Sequence, residues 1–111
     1  MIVALHSIVR EGRERDYDIE HRTVWPELAF LLRDCGIADW QIWRSGVNLF
    51  HLVDCEDFDA AMARLDESPV NERWQCHINT IVDHFVPGPS GQALQSVWSL
   101  AQQLAEGRPH A

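Results

Sequence analysis

Tyr17 and His21 stand four residues apart in a stretch of helical periodicity, so both project from one face, one above the other. An imidazole titrates near neutrality and can give or take a proton within a single turnover. A phenol one turn away can orient a substrate hydroxyl or relay that proton. Together they suit acid–base chemistry on a small, hydroxyl-bearing molecule. The spacing alone marks a structural pair more often than a catalytic one, so the surrounding residues have to decide.

The other reactive groups are less pointed. Of the five tryptophans, Trp25, Trp43 and Trp98 read as packing, since an aromatic at helix or strand spacing is more often core than ligand contact. Trp40 and Trp43 fall on opposite faces of one strand. His6 and His51 lie in strand-like segments, and whether either faces a pocket depends on a register that the sequence leaves open. A buried, hydrogen-bonded histidine is the favoured reading for each. His77 and His84 read as one helix face two turns apart, too far to share an ion. The chain has no His-x-x-x-His, carboxylate cluster or CxxC pair, so neither a metal nor an organic cofactor is expected. Glu27, Asp34, Asp39, Asp54 and Glu56 read as solvated charge, although one carboxylate near His21 could tune it.

Composition narrows the partners. Nine Lys and Arg against seventeen Asp and Glu give a formal charge of −8, with no basic cluster. Phosphate backbones and anionic membranes are repelled by such a surface, so neither nucleic acid nor membrane is expected as a partner. Cys35, Cys55 and Cys76 are too few and scattered for a disulfide framework. With no basic leader before Ile2 and no apolar run near 18 residues, a cytoplasmic protein is expected. A chain of 111 residues makes one domain that buries under about 70% of its unfolded surface. A second copy would add core, so a homodimer is the expected state.

The elements that must position the Tyr17–His21 pair follow from periodicity. Ile2 to Val9 reads as a strand, ended by the turn at Arg10 to Arg13. Glu14 to Cys35 reads as a helix with one apolar stripe, stopped by Gly36. Pro26 has no N–H for the Arg22 carbonyl, which predicts a kink or short break just after His21. A bend around a core is the plain reason for it. The functional reason is a freed carbonyl able to hold the imidazole or a water. Ile37 to Arg44 and Asn48 to Cys55 read as a hairpin through Ser45-Gly46-Val47. A helix follows from Asp57 to Leu65. Ser68-Pro69 then caps another, expected to carry Val70, Trp74, His77, Ile78, Ile81 and Phe85. Pro87 to Gly91 is a loop. Leu94 to Leu104 fits a helix, while Ser96 to Leu100 alone could be a strand. If it is a strand, the order is the split βαβ, ferredoxin-like, α+β arrangement. The domain is expected to span residues 1–104, with residues 105–111 as a flexible tail.

The segment Tyr17-Asp18-Ile19-Glu20-His21-Arg22-Thr23-Val24-Trp25-Pro26-Glu27-Leu28 resembles the first helix of the L-rhamnose mutarotase family, with its Tyr-x-x-x-His followed by Trp-Pro-Glu-Leu. Gly36-Ile37-x-x-Trp40-x-Ile42, Asn48-Leu49-Phe50 and Val70-Asn71-x-Arg73-Trp74 are similar to later parts of that family. The resemblance covers about residues 1–86 and, more faintly, Leu94 to Leu100. It implies that His21 is the catalytic proton donor and Tyr17 a sugar contact. Trp40 stands where the family has a tyrosine touching the sugar, and Trp74 matches the first of two adjacent tryptophans that hold substrate. Gln75 replaces the second, and His84-Phe85-Val86-Pro87-Gly88 replaces an Asn-Pro-Asp stretch.

The family's fold is a ferredoxin-like dimer with sheets packed face to face and a last strand reaching to the partner. The resemblance therefore implies a strand at Ser96 to Leu100. It also implies ring opening and reclosure of a 6-deoxy-L-hexose, with Trp40 and Trp74 as flat walls whose N–H groups are free to bond hydroxyls. Gln75 turns one stacking wall into a hydrogen-bonding one, which favours L-fucose over L-rhamnose. Two alternatives stand beside this reading. One is a haem-binding or haem-degrading dimer with His77 as axial ligand, the other a non-enzymatic dimer that binds a small molecule.

Overall fold

The computed structural model describes residues 1–89 and 91–107. The first strand, β1 (Ile2–Val9), alternates as its sequence does: Val3, Leu5, Ser7 and Val9 are buried, while Ile2 is exposed and Ala4, His6 and Ile8 are half-buried on the other face. The Gly12 turn at φ +83° leads into α1 (Glu14–Glu20). That helix ends at His21, and α2 (Pro26–Asp34) starts on the proline, where a missing N–H costs nothing. The expected break after His21 is therefore present. Gly36, at φ +97°, turns the chain out of α2 into β2 (Ile37–Ser45), which pairs with β3 (Asn48–Cys55) across the Gly46 turn.

Asp57 caps α3 (Phe58–Asp66) by accepting the Ala60 N–H, and Ser68 caps α4 (Pro69–Ile78) through the Val70 N–H. The antiparallel sheet has the order β2-β3-β1-β4, where β4 is Val82–Phe85. Its core lies on one face. Tyr17, Leu28, Trp74 and Ile78 from the helices pack on Val9, Leu49 and Val82, while Ala61 of α3 belongs to a second cluster with Val3, Leu5 and Val53. Leu49 and Val53 have no exposed surface, and truncating such a leucine to alanine costs about 2–5 kcal/mol.

Two expectations fail at the C-terminal side. The helix expected to run through Ile81 and Phe85 stops at Ile78, and Ile81 to Phe85 turns back to supply β4. The Arg10 N–H donates to the Ile81 carbonyl at 2.8 Å, and Ser7 pairs with Phe85. A strand edge with open N–H and C=O groups on β1 is satisfied this way. His77 and His84 consequently sit on different elements. The strand implied at Ser96 to Leu100 is absent too: residues 93–99 have no regular structure, and α5 (Leu100–Ala105) follows, capped by Ser99. This segment meets its own sheet at its start, where Ala93 packs against the cluster of Val3, Leu5 and Val53 and the Leu94 N–H donates to the Ala4 carbonyl. The tail expected at 105–111 begins on the last residue of α5, and its residues 108–111 lie outside the described residues. Among the described residues, no helix is long and apolar enough to cross a membrane.

Candidate active site

The short α1 is tied to the sheet by a two-pronged ion pair, Arg44 of β2 donating to both carboxylate oxygens of Asp18 at 2.7 and 2.6 Å. The Arg44 guanidinium lowers the pKa of Asp18. This pair fixes the helix whose inner face carries Tyr17 and, at its end, His21. The two rings stack with centroids 4.1 Å apart, and Trp74 of α4 meets the imidazole edge-on at 5.5 Å.

The His21 imidazole is oriented by backbone. Its Nδ1 lies 3.3 Å from the Tyr17 carbonyl, which also accepts the His21 N–H. A carbonyl only accepts, so Nδ1 carries the proton of the neutral ring and Nε2 presents its lone pair. The carbonyl that holds the ring is thus that of Tyr17, one turn back, and not that of Arg22. Burial lowers the pKa of His21 against the opposing pull of that hydrogen bond, keeping the ring neutral near pH 7. Burial first, and the Asp18 charge second, raise the pKa of Tyr17, so its phenol stays protonated.

Among the described residues, no buried side-chain nitrogen or oxygen is both sealed and unpaired. The Tyr17 hydroxyl and the Trp74 N–H have no hydrogen-bond partner among the described residues, so both are open to a cavity of about 530 Å³. Small-molecule sites typically enclose about 300–1,000 Å³. Tyr17, His21, Trp40, Trp74 and Gln75 all line it. The Gln75 amide donates to Asn71 Oδ1 over 3.4 Å one turn away, giving α4 a polar stretch beside Trp74.

Three lining residues were not singled out by sequence reasoning. Ser7 carries no pattern beyond strand alternation, and Asn71 stands in the Val70-Asn71-x-Arg73-Trp74 stretch that resembles the family, with no site role implied for it. His51 depended on the hairpin register, now set by Ile42 opposite His51, which turns His51 to the cavity side. Its Nδ1 accepts the Trp40 N–H at 3.1 Å, and its Nε2 lies 2.8 Å from Ser7 Oγ. The Trp40 N–H is therefore not free for a ligand, against expectation. Burial chiefly, and then the nearby His21 and His6, push the His51 pKa down to about 4.

The remaining aromatic residues divide by face. Trp25 packs edge-on to Trp74 at 5.1 Å, as expected for a core residue. Trp43 and Trp98, expected as packing, are 61% and 66% exposed in the single chain, because the sheet face and the segment that carry them have nothing over them. His6 lies on that outer face, stacked on Phe50 and bonded to Asn48.

A sequence model described as L-rhamnose mutarotase matches residues 2–103. The chain belongs to the L-rhamnose mutarotase family. Among curated relatives, an L-rhamnose mutarotase of Sinorhizobium medicae is 34% identical over 100 residues, covering 87% of this chain and 95% of the relative. Another, from Rhizobium meliloti, is 34% identical over 82 residues, or 72% and 78% of the two chains. The fold matches the crystal structure of an L-rhamnose mutarotase from Formosa agariphila with a TM-score of 0.72 at 20% identity, covering 90% of this chain and 98% of that one. The ferredoxin-like α+β architecture and an enzyme of the isomerase class follow.

Membership in this family gives no support to the haem and non-enzymatic alternatives. His77, the residue the haem reading needs, lies outside the cavity lining, with Nε2 2.8 Å from a Glu20 carboxylate oxygen and its ring stacked on Trp25.

Proposed function

We propose that the chain interconverts the α and β anomers of a 6-deoxy-L-hexopyranose, with His21 as its acid–base residue and Tyr17, Trp40, Trp74 and Gln75 in contact with the sugar. The observation that carries this is the lone pair of His21 Nε2 at a cavity edge, between a protonated phenol and an open indole N–H. In the resting site His21 is neutral and first takes the proton of the anomeric hydroxyl. The C1–O5 bond breaks, its electron pair goes to O5, and C1=O forms. His21 then gives the proton to O5, the role the resemblance assigns to it, with the Tyr17 hydroxyl as relay. Rotation about C1–C2 offers the other carbonyl face, and the same steps reversed close the ring. One proton moves and none is consumed. Positioned proton transfer contributes about 10²–10⁴-fold, enough for a reaction that already runs unaided in water.

The names of the relatives favour L-rhamnose as the sugar. L-Fucose is kept as a second substrate by the Asn71–Gln75 amide pair, a polar wall that suits hydroxyls of different stereochemistry. Saturation-transfer NMR on the anomeric protons of each sugar tests both. Enhanced exchange is expected with at least one, and rates equal to buffer for both would remove the proposal.

The working unit is a homodimer in this reading. Ile2, Trp43, Phe50 and Leu52 expose 60, 61, 41 and 38% of their surface on the sheet face away from the helices, an apolar area that a second copy can cover. Val97, Trp98 and Leu104, also exposed, give the C-terminal segment apolar groups for the same partner. Cytoplasmic residence completes the reading, supported by the free thiols of Cys35, Cys55 and Cys76.

A further inference from the structure

The two sides of the cavity differ in how much hydrogen bonding they leave for a ligand. On the helix side, the Tyr17 hydroxyl and Trp74 N–H are open, and His21 Nε2 carries a lone pair. On the sheet side, three polar side chains satisfy one another. Trp40 Nε1–H donates to His51 Nδ1 at 3.1 Å, and His51 Nε2 lies 2.8 Å from Ser7 Oγ.

The direction of this chain can be worked out. An indole nitrogen only donates, so His51 Nδ1 must be bare. The neutral imidazole then carries its proton on Nε2 and gives it to Ser7 Oγ. Protonating Nδ1 would set N–H against N–H at Trp40. Ser7 has no exposed surface, so its hydroxyl has nothing to offer a ligand, and His51 is 4% exposed with both nitrogens engaged. Ile42, Val82 and Phe85 add apolar groups, and Asp39, also of the β2 lining, has its two carboxylate oxygens engaged by the Trp40 backbone N–H and the Gln41 amide. A ligand meets ring carbons and methyl groups beside Trp40 and His51, and no free donor.

We propose that the Ser7–His51–Trp40 chain is a specificity device: by consuming its own donors it makes the sheet side of the cavity a seat for the sugar's C6 methyl group, and so rejects the hexose that carries a hydroxyl at C6. His51 and Ser7 are positioning residues acting through Trp40. This deepens the mutarotase reading and rests on it. A C6 hydroxyl seated against Trp40, His51, Ile42 and Phe85 gives up its water and finds no partner among them. An apolar pocket rejects an added hydroxyl by about 10²-fold.

The test compares L-rhamnose with L-mannose, which differs only by the C6 hydroxyl, by anomeric exchange NMR on wild type, Ser7→Ala and His51→Leu. Wild type should favour L-rhamnose about 10²-fold in kcat/KM. Ser7→Ala frees His51 Nε2–H, and His51→Leu frees the Trp40 N–H. Each should cut the ratio at least tenfold, a change of preference that a general loss of packing would not produce. Equal wild-type rates on the two sugars, or an unchanged ratio in both variants, would overturn the proposal while leaving the mutarotase reading intact. Exchange of neither sugar would overturn this proposal, and the mutarotase reading falls with it when L-fucose is not exchanged either. Should the variants fail to fold, ¹⁵N chemical shifts of wild-type His51 decide: the Nε2–H tautomer is expected, and the Nδ1–H tautomer contradicts the chain.

Discussion

The rings of Tyr17 and His21 stack 4.1 Å apart at 22°, while the Tyr17 carbonyl takes the Nδ1 proton of the same imidazole at 3.3 Å. One residue thus fixes both the plane and the tautomer of its neighbour. Removing only the Tyr17 hydroxyl leaves the stack and the carbonyl in place. Tyr17→Phe should therefore keep its stability within about 0.5 kcal/mol and lose about 3–10-fold in kcat/KM, the worth of one neutral hydrogen bond. Steady-state exchange rates check this, and an unchanged kcat/KM would deny the phenol a role.

The depressed pKa of His21 has a consequence for rate. The lone pair that starts ring opening is lost only when the imidazole protonates, and burial lowers that point below the ordinary value of 6.5. The catalysed rate should hold as pH falls through 6.5 and drop only lower. A rate that halves at or above pH 6.5 would contradict a neutral, partly buried His21.

His51 links pH to stability. Its pKa is about 4 in the fold and 6.5 when unfolded, so between these values the unfolded chain binds more protons. Stability therefore rises with pH through this window: the contribution of His51 is present above pH 6.5 and is lost as pH falls toward 4. From pH 7 to pH 5 the loss is about 2 kcal/mol. Urea unfolding at both pH values should show it in wild type and show a smaller slope in His51→Leu. Equal slopes would mean that His51 titrates normally.

Much of this arrangement could be read before any coordinates. Pro26 in the pattern of Glu14 to Cys35 predicted the break after His21, and Ser68-Pro69 predicted the start of α4. The end of α4 was not legible, because Ile78, Ile81 and Phe85 continue a spacing of three and four past the helix. Asn79, the residue that caps it, is a weak stop without a glycine or proline beside it. β4 forms there because β1 offers an open edge, a tertiary cause absent from local sequence. At Leu94 to Leu104 the reverse happened. The helical spacing was sound from Leu100 on, and family resemblance drew the reading toward a strand. The five site residues converge on one cavity, but Ser7 and His51 join them only through a strand register that Gly46 alone could not set.

Covering the outer sheet face should be a requirement of the assembled protein. Sedimentation should give twice the chain mass for wild type, and Phe50→Asp, at the middle of that face opposite Trp43, should shift it toward the monomer. A monomeric wild type would contradict the dimer.

The role of His21 is tested most directly by anomeric exchange with L-rhamnose and L-fucose, comparing wild type with His21→Gln. Glutamine keeps polarity and approximate size but cannot carry the proton. A loss of catalysed exchange of about 10²–10⁴-fold is expected, with the sugar still bound. A His21→Gln protein that exchanges anomers at the wild-type rate would contradict that role.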